Sequence, residues 1–329
     1  MMASKLMHVV QYSSYGKGAA NLQHAEIPIP TPKKGEVLVK VEAVGINPID
    51  YKIQGGFLRP FVPKKFPHVP GSDIAGEVVE LGYGVTKFKK GDKIVAMLGS
   101  ATGGGLAEYA VAKEEMTVIK PYEVSAVECA GLGTPALTAY QCLITAGVRL
   151  DKTGPPMNVL VTAASGGVGH YAVQLAKLGN TFVTATCGAR NAAFVRSLGA
   201  DEILDYKTPE GQALISPSGR KYDAVIHCST GMSWSTFNNV LSLRGKVVDI
   251  TPSPSALATF AMKKLSCSKK QLIPLLVSSK AEDLQFLVKL MKEKKLRTVV
   301  DSRYHLSKAE DAWAKCIEGH AVGKIIVVA

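Results

Sequence analysis

Apolar and polar positions alternate with a period of two along the first third of the chain. Val37 to Ala43, Gly76 to Leu81 and Lys93 to Met97 are the clearest runs, and Gly- and Pro-rich stretches separate them. Such short, evenly spaced runs predict half-buried strands in a compact, barrel-like all-β unit, with His8 to Tyr12 as its first strand. From about Pro135 the period changes. A helical stretch, Pro135 to Gly147, precedes the apolar runs Asn158 to Ala163, Thr181 to Thr186, Glu202 to Leu204, Ala224 to Cys228 and Lys246 to Ile250. Helical segments such as His170 to Leu178, Asn191 to Leu198 and Trp234 to Leu241 separate most of them, which predicts a parallel, doubly wound sheet. Lys246 to Ile250 is the expected edge of that sheet, and Gly211 to Arg220 reads as an exposed loop. Two amphipathic helices, Ala281 to Lys294 and Lys308 to Ile317, and a last strand, Lys324 to Val328, are expected to pack back on the first unit. The fold class is therefore α/β, with residues 1–124 and 275–329 in one domain and 125–274 in the other. A chain of 329 residues is long enough for two cores.

Composition adds constraints. Hydrophobic residues make up 47% and charged residues 20%, as in an ordinary globular protein, and no apolar run approaches a membrane-spanning length. Met1 to Tyr12 lacks the apolar core of a secretory signal, so secretion is not expected. The formal net charge is +12, with lysine pairs at 33–34, 64–65, 89–90, 263–264, 269–270 and 294–295. These pairs are scattered and carry no nucleic-acid motif, so a solvated surface is the plain reading and nucleic acid is not an expected partner. A basic face also suits an anionic membrane, an acidic substrate or cofactor phosphates. The six cysteines form no C-x-x-C pair and the seven histidines no metal-binding spacing, which points to reduced thiols and no metal site.

The chemistry concentrates after the run Val159 to Ala163. Ala164, Gly166 and Gly169 give a G-x-G-x-x-G fingerprint with Ala first, set between a strand and a helix. Two small residues permit a tight turn and close approach of a pyrophosphate, and the third lets helix pack on strand. The helix N-terminus then receives the phosphate charge. No carboxylate occurs between Asp151 and Asp201, so the ribose-binding acid of NAD-preferring folds is missing, and Arg190 follows the second strand instead. An arginine there binds a 2′-phosphate through charge-assisted hydrogen bonds, and NADPH is the expected cofactor.

Phe66 to Val79, Lys87 to Ile94, Gly104 to Tyr109, Leu137 to Ala139, the glycine turn and Gly323 to Val327 together resemble the medium-chain dehydrogenase/reductase superfamily along the whole chain. Within it the resemblance is to the quinone oxidoreductase group, especially its plant chloroplast members. It implies a GroES-like barrel as catalytic domain plus a Rossmann cofactor domain. The alcohol dehydrogenases of this superfamily hold a catalytic zinc with a Cys where this chain has Asn47, and with a His-Glu pair where it has Ser72-Asp73. Their four-cysteine lobe is also missing. Without a Lewis acid to stabilise an alkoxide, the chemistry implied is hydride delivery to an already electrophilic carbon.

The resemblance makes Ile46 to Lys52 the substrate-side loop. Asn47 and Thr138 would position the nicotinamide and its ribose, although Asn47-Pro48 also suits a turn and Thr138 a packed helix. Lys52 would hold the cofactor or stabilise an enolate oxygen, although a lysine there also suits a solvated surface. Tyr51 is a proton donor or an apolar wall. Related enoyl-thioester reductases carry a tyrosine acid where this chain has Phe57, which disfavours an acyl-thioester substrate. Gly166, Gly167, Val168, Gly188, Arg190, Asn191, Tyr206 and Lys324 carry over as NADPH contacts, and Cys228-Ser229 and Ile250-Thr251 line the cofactor edge of the sheet. Cys228 reads as lining, not as a nucleophile. The expected activity is NADPH-dependent reduction of the C=C bond of α,β-unsaturated carbonyls, including oxidised long-chain lipid ketones such as γ-ketols. The alternatives are a quinone reductase, or a cofactor-loaded membrane- or RNA-binding protein with little turnover. The resemblance also implies a homodimer joined through edge strands and peripheral attachment to the chloroplast inner envelope, composition alone a reducing, cytosol-like setting.

Overall fold

A computed structural model of the chain describes residues 5–16, 18–63 and 65–329, and these form two compact units, 1–137 with 279–329 and 138–278. Lys64 of the 64–65 pair and the start of the Met1 to Tyr12 segment lie outside the described residues. Residues 125–137 go with the first unit and 275–278 with the second, so the cuts fall later than the sequence pattern places them.

In the first unit, β1 (Leu6–Gln11) and β2 (Gln23–Pro28) form an antiparallel pair. The main sheet comprises β3 (Glu36–Ile46), β4 (Asp73–Leu81), β5 (Lys93–Met97), β6 (Tyr109–Lys113) and β7 (Thr117–Ile119), joined later by β14 and β15. A seven-residue helix, α1 (Pro48–Gln54), follows β3, and α2 (Ala126–Cys129) precedes α3 (Gly133–Ala146), within which the first unit gives way to the second. The expected alternation appears directly in burial: Val37, Val39 and Val41 of β3 face a core that also holds Ile74, Val78 and Ile94.

The second unit is a six-stranded, wholly parallel sheet. Its elements in chain order are β8 (Met157–Val161), α4 (Gly169–Ala176), β9 (Thr181–Cys187), α5 (Ala192–Ser197), β10 (Glu202–Asp205), α6 (Pro209–Gln212), β11 (Tyr222–His227), α7 (Trp234–Val240), β12 (Leu241–Asp249), α8 (Pro254–Leu265) and β13 (Gln271–Pro274). In space the order is β10-β9-β8-β11-β12-β13. Chain direction across the sheet therefore reverses between β8 and β11, the place where open α/β sheets gather ligands.

One expectation fails here and another holds only in part. Lys246 to Ile250 is not an edge, because β13 pairs with β12 from Lys246↔Gln271 to Asp249↔Pro274. Four residues ending in proline are too short to register as a strand by pattern. Gly211 to Arg220 is exposed over most of its length, as expected, but not throughout: Leu214 is fully buried in the core, and the buried Ser216 donates to Glu202 at 2.7 Å.

The tail returns to the first unit as α9 (Ala281–Lys292), β14 (Val300–His305), α10 (Ala309–Glu318) and β15 (Lys324–Val328). Its anchor is Trp313, fully buried, whose indole N–H donates to Gln54 Oε1 at 2.9 Å. Antiparallel pairing of β15 with β3 sets Ile325 opposite Ile46, so Lys324 falls beside Asn47.

Candidate active site

Ile46 to Lys52 is not a loop. The chain turns into α1 at Asn47, with Pro48 supplying the preset φ of a first helical position. Asn47 is buried and its amide is engaged at both ends. Nδ2 donates to Asp73 Oδ2 at 2.7 Å and to Gly45 O at 3.3 Å, while Oδ1 accepts from Lys324 Nζ at 2.5 Å. Lys324 also donates to Ile46 O at 2.8 Å, and Thr134 Oγ1 donates to Asp73 Oδ1 at 2.9 Å. Gly133 opens α3 directly over this carboxylate; a Cβ there would sit 2.3 Å from Asp73 Oδ1.

The cluster holds one buried cation and two buried acids. Burial lowers the pKa of Lys324, opposed by attraction to Asp73, and raises that of Asp73, opposed by Lys324 and Asn47. Asp50 accepts from the Asn47 backbone N–H at 2.8 Å, and burial pushes its carboxyl up to about 7. Lys324 thus gives its ammonium to the protein, and its influence on any ligand runs through Asn47. The Asn47 carbonyl keeps a second lone pair for a further donor.

Tyr51 and Lys52 share α1. Tyr51 is half-buried against the first core, and burial raises its pKa. Lys52 is half-buried on the last turn, and among the described residues its ammonium makes no salt bridge or hydrogen bond. Thr138 is buried in α3.

In the second unit the residues expected to contact the cofactor gather at the C-terminal ends of β8, β9 and β10. The turn after β8 takes Ala163 to φ +49°. It is pinned by Ala163 N–H to Thr186 Oγ1 at 3.0 Å and Ala164 N–H to Thr186 O at 2.8 Å. Only glycine fits at 169, where a Cβ would lie 2.2 Å from Ala163 O and 2.7 Å from Ala164 Cα. The amides of Gly167 and Val168, just ahead of α4, find no acceptor among the described residues. Unsatisfied amides at a helix start, reached through a close helix–strand packing, fit a pyrophosphate.

Asn191 Nδ2 reaches back to Ser165 Oγ at 3.2 Å, which tethers the Arg190 segment to the turn. Arg190 is exposed and unpaired among the described residues. Tyr206 is half exposed, with its ring edge 3.5 Å from where a Gly188 Cβ would stand.

Beyond β11 and β12, Cys228 N–H donates to Thr162 Oγ1 at 2.9 Å and Thr251 Oγ1 donates to Ser229 O at 2.8 Å; Ile250 lies between these anchored segments. Burial pushes the Cys228 thiol up to about 12, so it stays protonated. Thr162 also meets His227 Nδ1 at 3.0 Å, and burial takes that imidazole down to about 4, so it is neutral. Sequence reading passed over Thr162, Thr186 and Ser165, which brace the turn, and Asp50, Asp73 and Thr134, which brace Asn47. Only Asp73 carried a signal, as the residue standing where relatives have a metal-site glutamate. Among the described residues, no three His, Cys, Asp or Glu side chains come together as a metal site.

Residues 33–122 match the family described as alcohol dehydrogenase GroES-like domain, and 198–327 the family described as zinc-binding dehydrogenase. The chain is 63% identical over 327 residues to the chloroplast envelope quinone oxidoreductase homolog of Arabidopsis thaliana, covering 99% of each. It is 30% identical to the chloroplastic NADPH-dependent alkenal/one oxidoreductase of the same plant, across 98% of this chain and 80% of that one. In three dimensions it is similar to the quinone oxidoreductase from Coxiella burnetii, with a TM-score of 0.89 at 32% identity, covering 99% of this chain and 100% of that one.

Proposed function

The chain belongs to the medium-chain dehydrogenase/reductase family, as an oxidoreductase of quinone oxidoreductase type, and we propose that it reduces the C=C bond of α,β-unsaturated carbonyls with NADPH and without zinc. The observation that carries the reading is the Lys324–Asn47–Asp73 network. Lys324 donates to Asn47, which by resemblance stands where alcohol dehydrogenases have a zinc-ligating cysteine, and Asp73, opposite their glutamate, is a carboxylate held by two donors. NADPH, once bound, would supply a hydride to the electrophilic β-carbon, and the α-carbon would take its proton from water or from the Tyr51 phenol. The protein's part is to orient and to stabilise charge. Lys52 offers an unpaired ammonium to the enolate oxygen or to the cofactor, Tyr51 a phenol to the α-carbon or an apolar wall, and Asn47 and Thr138 position the nicotinamide end. Lys324 is a positioning residue for Asn47. Gly166 to Val168, Gly188, Arg190, Asn191 and Tyr206 hold the adenosine end.

NADPH consumption measured in parallel with enones and quinones, with and without a chelator, tests this. Enone turnover that survives the chelator is expected; turnover of quinones alone gives the reading over to quinone reduction, which the name of the Arabidopsis relative favours. Arg190→Ala should raise KM for NADPH roughly ten- to a hundredfold and leave KM for NADH nearly unchanged, the loss of a charge-assisted contact. For assembly and place we propose a homodimer and peripheral attachment at the chloroplast inner envelope. The exposed β13 edge and the solvent-facing Leu257 and Leu265 of α8 support the first, and sedimentation velocity tests it. The envelope named for the Arabidopsis relative and the charge of +12 support the second, and among the described residues no helix is long and apolar enough to cross a membrane.

A further inference from the structure

The stretch after α1 carries a cluster of exposed apolar side chains. Phe57 is 68% exposed and Phe61 78%, with Leu58 and Phe66 each more than a third exposed beside them. Most of the surface of Phe57 and Phe61 is open to solvent. The loop's first part, residues 56–61, is hydrogen-bonded along the backbone: Phe57 N–H bonds to Lys52 O at 2.9 Å, Arg59 N–H to Gly56 O at 3.1 Å and Phe61 N–H to Leu58 O at 2.8 Å. Its base is fastened to Tyr15, whose hydroxyl donates to Val62 O at 3.1 Å, whose ring meets Phe66 edge-on at 5.0 Å, and over which the Arg59 guanidinium lies at 5.4 Å. Little ordering entropy remains to be lost when such a loop engages something.

Charge says what it engages. No acid occurs between Asp50 and Asp73, while Lys52, Arg59, Lys64 and Lys65 all fall in that interval. Arg59 and Lys65 are exposed, like the rings. A protein partner would have to offer an acidic rim and a pocket for each ring. An anionic bilayer offers headgroup charge and an acyl boundary that accepts any apolar shape without a pocket.

We propose that the loop Gly56 to Phe66 is the surface by which this protein docks on an anionic lipid bilayer, with Phe57 and Phe61 seated at the headgroup–acyl boundary and Arg59 and Lys65 against the headgroups. This rests on the peripheral-attachment reading above and names the part of the chain responsible for it. Because the loop directly follows the helix that carries Tyr51 and Lys52, an apolar substrate dissolved in the bilayer would reach the first unit without crossing bulk water.

The test is co-sedimentation of the full chain with phosphatidylcholine vesicles, with and without phosphatidylglycerol, at several salt concentrations. The intact protein should bind only the anionic vesicles, and less as salt rises. Phe57→Ser/Phe61→Ser should lower the partition coefficient by roughly a hundredfold, about tenfold for each ring removed from the interface. Arg59→Gln/Lys65→Gln should weaken binding at low salt and flatten its salt dependence. Leu257→Ser/Leu265→Ser on α8 should bind like the unaltered chain, and unchanged thermal midpoints establish that all variants fold. As an independent readout, the indole introduced by F61W should be quenched by brominated lipid. If the intact protein binds neither vesicle, the attachment reading falls and this proposal with it. If it binds but the loop variants bind equally well, or if only the α8 variant loses binding, the attachment reading stands apart and the docking loop is wrong.

Discussion

Asp50→Asn should stabilise the first unit above neutral pH and have the opposite effect, or none, in mild acid. Asp50 is buried and accepts one hydrogen bond, from the Asn47 backbone at 2.8 Å. Burial is the main reason its carboxyl rises to about 7; repulsion from Asp73 adds to this, and the Asn47 hydrogen bond and Lys324 oppose it. In the unfolded chain the same group titrates near 4, an ordinary aspartate. Between those values the folded state holds a proton that the unfolded state has released, so stability falls as pH rises through the window. Above about pH 7 both states are ionised, the slope vanishes and the whole cost stands. A displacement of about 3 in pKa corresponds to about 4 kcal/mol.

Asparagine keeps an oxygen for the Asn47 N–H and adds an amide donor that needs an acceptor, at a cost of about 1–3 kcal/mol. The net gain at about pH 8 is therefore on the order of 1–3 kcal/mol, while near pH 4 the variant is no better than the natural residue. Because the chain has two units, the first must be followed by itself. Trp313 lies in its core and Trp234 in the second unit, so urea unfolding read by fluorescence in a Trp234→Phe background isolates it. The quantity to plot is the stability difference between Asp50 and its Asn variant from about pH 4 to pH 8. A difference that stays flat across that range refutes the reasoning.

Three other substitutions probe the same framework. Lys324→Met leaves the buried Asp73 without a counter-charge and should cost about 3–5 kcal/mol in urea unfolding; adding Asp73→Asn should restore over half, and strict additivity would mean the two are uncoupled. Gly169→Ala forces α4 away from β8 and should abolish NADPH binding in a fluorescence titration, with the sheet still folded by circular dichroism; retained affinity would show that the turn is not the phosphate site. Trp313→Phe leaves the buried Gln54 Oε1 unpartnered and should destabilise the first unit by about 1–3 kcal/mol, measured by thermal unfolding, with no change in NADPH affinity.

Features whose physics is local were legible from the chain alone. Period-two alternation is the signature of a strand with one buried face, and Val37 to Ala43 lies inside the longer β3 for that reason. Ala164, Gly166 and Gly169 announce the turn because bulk there is forbidden by contacts a few residues away. The carboxylate-free stretch leading to Arg190 can likewise be read without a structure. Distant pairing, by contrast, emerges only in three dimensions. Lys324 holds Asn47 only because antiparallel register places Ile325 opposite Ile46, and no local pattern encodes a register between strands so far apart in the chain. The short β13 took the sheet edge from β12, and Leu214 and Ser216 left an apparently polar loop for the interior. Neither shift could be read locally, because burial depends on which segments the fold brings to cover one another.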